Sequence, residues 1–127
     1  MFHVSRQFIG QSVMMKPQIP RTAPNYEDRT IPRICISPTI EQCLMGIAGA
    51  NLQEALTLLK GKDWYIYTTD SWDYIPAKDV FDHIDTEEHW FLQPTKFHFY
   101  GTVCSQSAKK GILKINKISN TVLSVKV

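Results

Sequence analysis

The chain has 127 residues, 43% of them hydrophobic and 20% charged, and 14 Lys+Arg against 12 Asp+Glu leave a formal net charge of +2. That balance suits one domain with a real core over residues 1–127, and it excludes a disordered tail, a strongly basic nucleic-acid arm and an acidic activation segment. No apolar run approaches the about 18 residues that a membrane-spanning helix needs, and Met1-Phe2-His3-Val4-Ser5-Arg6 lacks the basic-then-apolar layout of a signal peptide.

In chain order, Phe2-His3-Val4-Ser5 reads as a short first strand. Residues 10–33 carry Pro17, Pro20, Pro24 and Pro32, which preclude a continuous helix and disfavour a central strand, so a long ordered loop is expected. Arg33-Ile34-Cys35-Ile36-Ser37 reads as a second strand. Ser37-Pro38 suits a helix start, and Ile40, Cys43, Leu44, Ile47 and Ala48 form an apolar stripe at helical spacing. A second stripe, Leu52, Ala55, Leu56 and Leu59, extends the helix or begins another, ending at Lys60-Gly61.

Trp64-Tyr65-Ile66-Tyr67-Thr68 is aromatic and β-branched, hence a third strand. Residues 70–88 hold Pro76 and the acids Asp79, Asp82, Asp85, Glu87 and Glu88, and read as loop. Strands near 89–92 and 97–104 follow, and 111–127 reads as a hairpin turning at Ser119-Asn120. The sum is an α+β domain with one helical region between the second and third strands.

Three cysteines (Cys35, Cys43 and Cys104) at irregular spacing argue against a disulfide framework and for a reducing, cytoplasmic setting. No zinc-ligand spacing is present, and neither is a P-loop, a dinucleotide-binding glycine fingerprint or a nucleophile elbow. Three features remain. Strand alternation puts His3 and Ser5 on one face and Phe2 and Val4 on the other, so the polar pair lines a cleft or a solvated edge. Glu87 and Glu88 enter a strand, where a carboxylate either orients a substrate or faces water. Trp72 and Tyr74 sit in a loop and either pin it to the body or stack on a nucleotide base.

The order of these pieces resembles the small ADP-ribosyltransferase fold of the rifampin ADP-ribosyltransferase type. The matching pieces are Phe2-His3-Val4-Ser5, then Gly10 before Pro17-Gln18-Ile19-Pro20, then Arg33-Ile34-Cys35-Ile36-Ser37, a helix, and Tyr65-Ile66-Tyr67. Together they cover roughly the first hundred residues, and the specificity lies in their order. The resemblance implies a mixed, split β-sheet of ADP-ribosyltransferase type and NAD, or an NAD-derived nucleotide, as the cofactor. It gives His3 the ribose and Glu88, or its rival Asp79, the cation-like transition state. The stacking tyrosine of the second strand falls on Cys35, which cannot stack; Tyr26 and Tyr67 are the alternatives. Ser5, Arg6, Arg33, Cys35, Ser37, Trp72 and Tyr74 complete the expected nucleotide contacts. The implied reaction is transfer of ADP-ribose to a protein or small molecule. The alternative is a catalytically silent binding module that sequesters a nucleotide signal or blocks a protein, a role that suits counter-defence proteins of phages and mobile elements. No metal, membrane or direct nucleic-acid contact is expected.

Overall fold

The computed structural model describes residues 1–19, 30–49, 51, 54–55, 63–77, 86–104, 112–117 and 122–126, the last two segments and Cys104 through their backbone alone. In chain order these form β1 (Phe2–Ser5), β2 (Ser12–Met15), β3 (Ile34–Ile36), α1 (Ile40–Ala48), β4 (Trp64–Thr68), β5 (Ile75–Pro76), β6 (His89–Phe91), β7 (Thr95–Cys104), β8 (Ile112–Lys117) and β9 (Val122–Lys126). The strands make two sheets. The larger runs β1-β4-β7-β8-β9, with β2 also on β7, and the smaller runs β3-β6-β5.

Every strand pairing among the described residues is antiparallel, so the sheets are not mixed as the sequence suggested. Short connections join several of the strands, and antiparallel pairs need no long crossover. Two further corrections concern loops. Residues 12–15, expected in the long proline-rich loop, form β2 against Thr95–His98 of β7. Within 70–88, Ile75 and Pro76 form the edge strand β5, a position where proline is tolerated because no ladder donor is needed on the open side. β7 is long enough to hold β2 along one half of an edge and β8 along the other half, while β4 takes the opposite edge. β8 and β9 pair as the expected hairpin; its turn lies outside the described residues.

The helix begins two residues later than Ser37-Pro38 implied. Thr39 is the N-cap: its hydroxyl accepts the Gln42 N–H, and the Gln42 side chain accepts the Thr39 N–H, a reciprocal capping box. Ser37 is unavailable as a cap because its backbone pairs with Phe2 of β1. Gly49, at φ 63°, ends the helix in the left-handed conformation and returns its N–H to the Met45 carbonyl. Of the stripe, Ile40, Cys43 and Leu44 are buried, whereas Ile47 is exposed. Most of the second stripe lies outside the described residues; Glu54 and Ala55 are helical.

Three clusters make the core. On one face of the large sheet, Val4, Trp64, Ile66 and Val103 pack against Ile40, Cys43 and Leu44 of α1. On the other face, Met15, Tyr67 and Phe97 pack against Ile34, Ile36 and Phe91 of the small sheet. The outer face of the small sheet carries Trp90 and Ala77, with Cys35, Ile31 and Ile75 against them. The fully buried Tyr67 ring sends its hydroxyl to the segment after β1, where it accepts the Ile9 N–H at 2.9 Å and donates to the Gly10 carbonyl at 3.0 Å.

Two substitutions test this arrangement. Leu44→Ala should cost about 2–5 kcal/mol, because the helix cannot collapse into the void. Tyr67→Phe should cost about 1–3 kcal/mol, the worth of the two hydrogen bonds that pin Ile9 and Gly10. Urea titration measures both; a Tyr67→Phe variant as stable as the parent would mean that the segment after β1 is held by something else.

Candidate functional site

The candidate site lies where β1 meets β3. Phe2 and Ser37 exchange both backbone hydrogen bonds, at 2.8 and 3.0 Å. Farther along the same edge of β3, Arg33 exchanges a second pair with Gln18, at 2.9 and 3.1 Å. Between them on β3 lies Cys35. The His3 side chain reaches the Cys35 carbonyl, with Nδ1 at 2.8 Å. A carbonyl only accepts, so Nδ1 carries a proton, and in the neutral ring Nε2 is left with a lone pair.

The His3 ring also packs against Phe97, with centroids 6.0 Å apart, on the face that looks toward the small sheet. Burial pushes its pKa below the ordinary 6.5, and the Cys35 hydrogen bond only partly opposes this. His3 is therefore a neutral imidazole at pH 7, suited to accept a hydrogen bond from a hydroxyl rather than to pair with an anion.

The other expected contacts are dispersed. Ser5 shares the His3 face, but its hydroxyl closes a local turn, donating to the Gln7 carbonyl at 2.8 Å and accepting the Gln7 N–H at 3.2 Å. Arg6 lies over the Trp64 ring, 5.5 Å from its centroid, and donates to the Asp63 carbonyl. Arg33 is buried with its guanidinium 4.5 Å above the Trp90 ring and donates to the Ile31 carbonyl. Cys35 packs with Trp90 on the outer face of the small sheet, and Ser37 is buried. Trp72 is 82% exposed, while Tyr74 meets His89 and Phe91 edge-on.

Glu88 accepts the Trp90 indole N–H at 2.9 Å, and its other oxygen lies 3.7 Å from where a side chain on Gly46 would begin. Trp90 belongs to the outer cluster of the small sheet and Phe97 to the cluster between the sheets. The rings that His3 and Glu88 touch thus belong to clusters on opposite faces of the small sheet, while the Glu88 carboxylate also faces Cys43, whose thiol rests on the Phe2 carbonyl. Neighbouring Glu87 adopts a left-handed φ of 48° and accepts from Gln42 at 2.7 Å, which ties the entrance of β6 to α1. Asp79 and Tyr26, the alternative acid and tyrosine, lie outside the described residues. Tyr67 is fully buried and its hydroxyl is committed, so it offers no face to a ligand.

Cys43 is not a nucleophile. Burial pushes its thiol up to about 12, and Sγ donates to the Phe2 carbonyl at 3.2 Å. Among the described residues no three metal-ligating side chains converge, and no helix is long and apolar enough to cross a membrane.

Sequence reasoning passed over Phe8. It folds back onto Tyr65 and Phe99, with centroids 5.9 and 5.1 Å away, yet remains 48% exposed. The available signal was an apolar Phe8-Ile9 pair stranded before Gly10.

No family model, curated protein or solved structure matches this chain.

The lowered His3 pKa has a measurable consequence. Below about pH 6.5 the unfolded chain takes up a proton that the folded chain refuses, so stability falls as pH drops through 6.5 toward the folded value. Urea midpoints should fall between pH 7.5 and 5.5, and by less in His3→Asn, which keeps a donor for Cys35 but has no imidazole. Equal losses in parent and variant would remove His3 as the source.

Proposed function

We propose that this chain is an ADP-ribosyltransferase-like module that captures NAD or an NAD-derived nucleotide. The observation that carries the reading is the His3 imidazole, fixed by Cys35 in one tautomer with Nε2 as an acceptor. A ribose hydroxyl is a donor of the matching kind. The meeting of two sheets along β1 and β3 is in keeping with a split-sheet architecture of this type, as is the order of the motifs on which the resemblance rests.

Capture without transfer is the form we favour. Transfer needs negative charge beside the ribose carbon from which nicotinamide departs, because positive charge develops there. Glu88 is instead bonded to Trp90 on the other face of the small sheet from His3. Cys35, at the position of the stacking tyrosine, turns its side chain toward Trp90 and has no ring to offer. A cleft that holds a nucleotide but lacks both groups would sequester its ligand rather than consume it.

Thermal melts with NAD, ADP-ribose and cyclic ADP-ribose test capture. A ligand at one hundred times its Kd adds about 2.7 kcal/mol of apparent stability, so at least one of the three should raise Tm by several degrees. His3→Asn should lose that rise. A flat response of the parent to all three would end the nucleotide reading. Label transfer from NAD to lysate proteins, abolished by Glu88→Gln, would restore the enzyme.

A further inference from the structure

Trp72 is 82% exposed, more than any other large hydrophobic side chain among the described residues. The turn that carries it is nevertheless tied down from both sides. Before it, the Thr69 hydroxyl donates to the Lys96 carbonyl at 2.7 Å and accepts the Ser71 N–H at 3.1 Å. After it, Gln93 donates to the Asp73 carboxylate at 2.7 Å, and the Tyr74 ring meets Phe91 edge-on. The Asp73–Gln93 bond brings their neighbours Trp72 and Leu92 to one corner of the small sheet, and Leu92 is itself 45% exposed. This apolar corner is held out in water by the buried Thr69 and Phe91. It has already given up freedom that docking would otherwise cost it.

Charge narrows the occupant. Asp70 and Asp73, both exposed, flank Trp72. Residues 70–88 carry seven acidic residues against one lysine. Residues 105–127 carry the opposite pattern, five lysines and no acidic residue. In the hairpin of β8 and β9, Ile112 stands across from Lys126 and Lys114 across from Ser124. Register and alternation therefore put Lys114 and Lys126 on one face of the hairpin together with Ile112 and Val122. β9 is the last strand of the large sheet, and the Trp72 corner belongs to the small one. An acidic corner with an apolar centre and a lysine-bearing face with apolar members are thus both encoded in one chain. A net charge of +2 gives two copies little reason to repel.

We propose that the Trp72 corner of one copy docks on the lysine-bearing face of the β8–β9 hairpin of a second copy. Two different surfaces meet, so the contact is heterologous: each copy offers its corner to one neighbour and its hairpin to another. Trp72 is the anchor, since a preorganised tryptophan carries a large share of the energy of a contact. Asp70 and Asp73 set the orientation through complementary charge. The contact uses neither His3 nor Glu88 and is independent of nucleotide capture.

Sedimentation velocity of the full chain tests this. The parent should sediment faster as its concentration rises, and the association should weaken toward about 1 M salt, where the Debye length falls to about 3 Å. Trp72→Ala should weaken the association about tenfold or more and should melt within a few degrees of the parent, because the ring is exposed. The double variant Lys114→Glu, Lys126→Glu should lose association as well. A mixture of the two variants should form a one-to-one complex that grows no further, because one keeps its hairpin face and the other its corner. Should the hairpin variant fail to fold, the salt dependence and Trp72→Ala still decide. A parent that stays monomeric at every concentration overturns the proposal. So does a Trp72→Ala variant that associates like the parent, an association indifferent to salt, or a mixture of folded variants that stays monomeric.

Discussion

Phe2 and Ser37 pair through their backbones, and one residue later the two strands that carry them part company. Where they part, the Cys35 carbonyl meets the His3 side chain. Backbone carbonyls in a protein interior are held by donors, and here a side chain is one of them. The His3 imidazole makes that contact, which sets the ring's tautomer, while burial of the ring lowers its basicity against the opposing pull of the bond. The candidate site follows from sheet geometry: two sheets share a seam of one residue pair, and a side chain bridges the place where they separate.

The two sides of the large sheet have different materials. Toward α1 the contacts are largely aliphatic, with Val4, Ile66, Leu44 and Ile40 filling space that a short capped helix can cover. Toward the small sheet they are largely aromatic, with Tyr67, Phe91 and Phe97 buried and Phe91 and Phe97 meeting edge-on at 89°. Aromatic pairs hold preferred angles as well as area. That layer therefore sets the spacing between the sheets, and the Tyr67 hydroxyl extends its order outward to Ile9 and Gly10.

Strands rich in β-branched and aromatic residues were legible in the sequence: β1, β3, β4, β6, β7 and the terminal hairpin all stand within a few residues of their expected places. β2 was hidden because Ser12–Met15 is short and lies among prolines and glycine; its pairing with Thr95–His98 is a long-range fact. Ser37 misplaced the helix start because its backbone was already engaged by Phe2. For the site, alternation correctly put His3 opposite Val4, since period-two patterns need no partner strand. Which residue stands across from His3, and which face Glu88 reaches, depends on register, and a single sequence carries little of that. Tyr67 was ambiguous because Trp64, Tyr65, Ile66 and Tyr67 supply bulky residues to both faces of β4.

The way β7 serves its neighbours bears on how the chain assembles. β1 pairs with β4, β3 with β6 and β2 with β7, so Phe2 meets Thr68, Ile34 meets Phe91 and Ser12 meets His98. Apart from the Phe2–Ser37 and Gln18–Arg33 bridges, the ladder partners of the three N-terminal strands lie in the second half of the sequence. High contact order of this kind slows folding, because loop closure must precede its reward. The ladders of β1, β2 and β3 therefore form only after β4, β6 and β7 are available. The polar Ser5 at the end of β1 and Pro17 after β2 break the apolar pattern of those strands, the kind of interruption that disfavours pairing between chains.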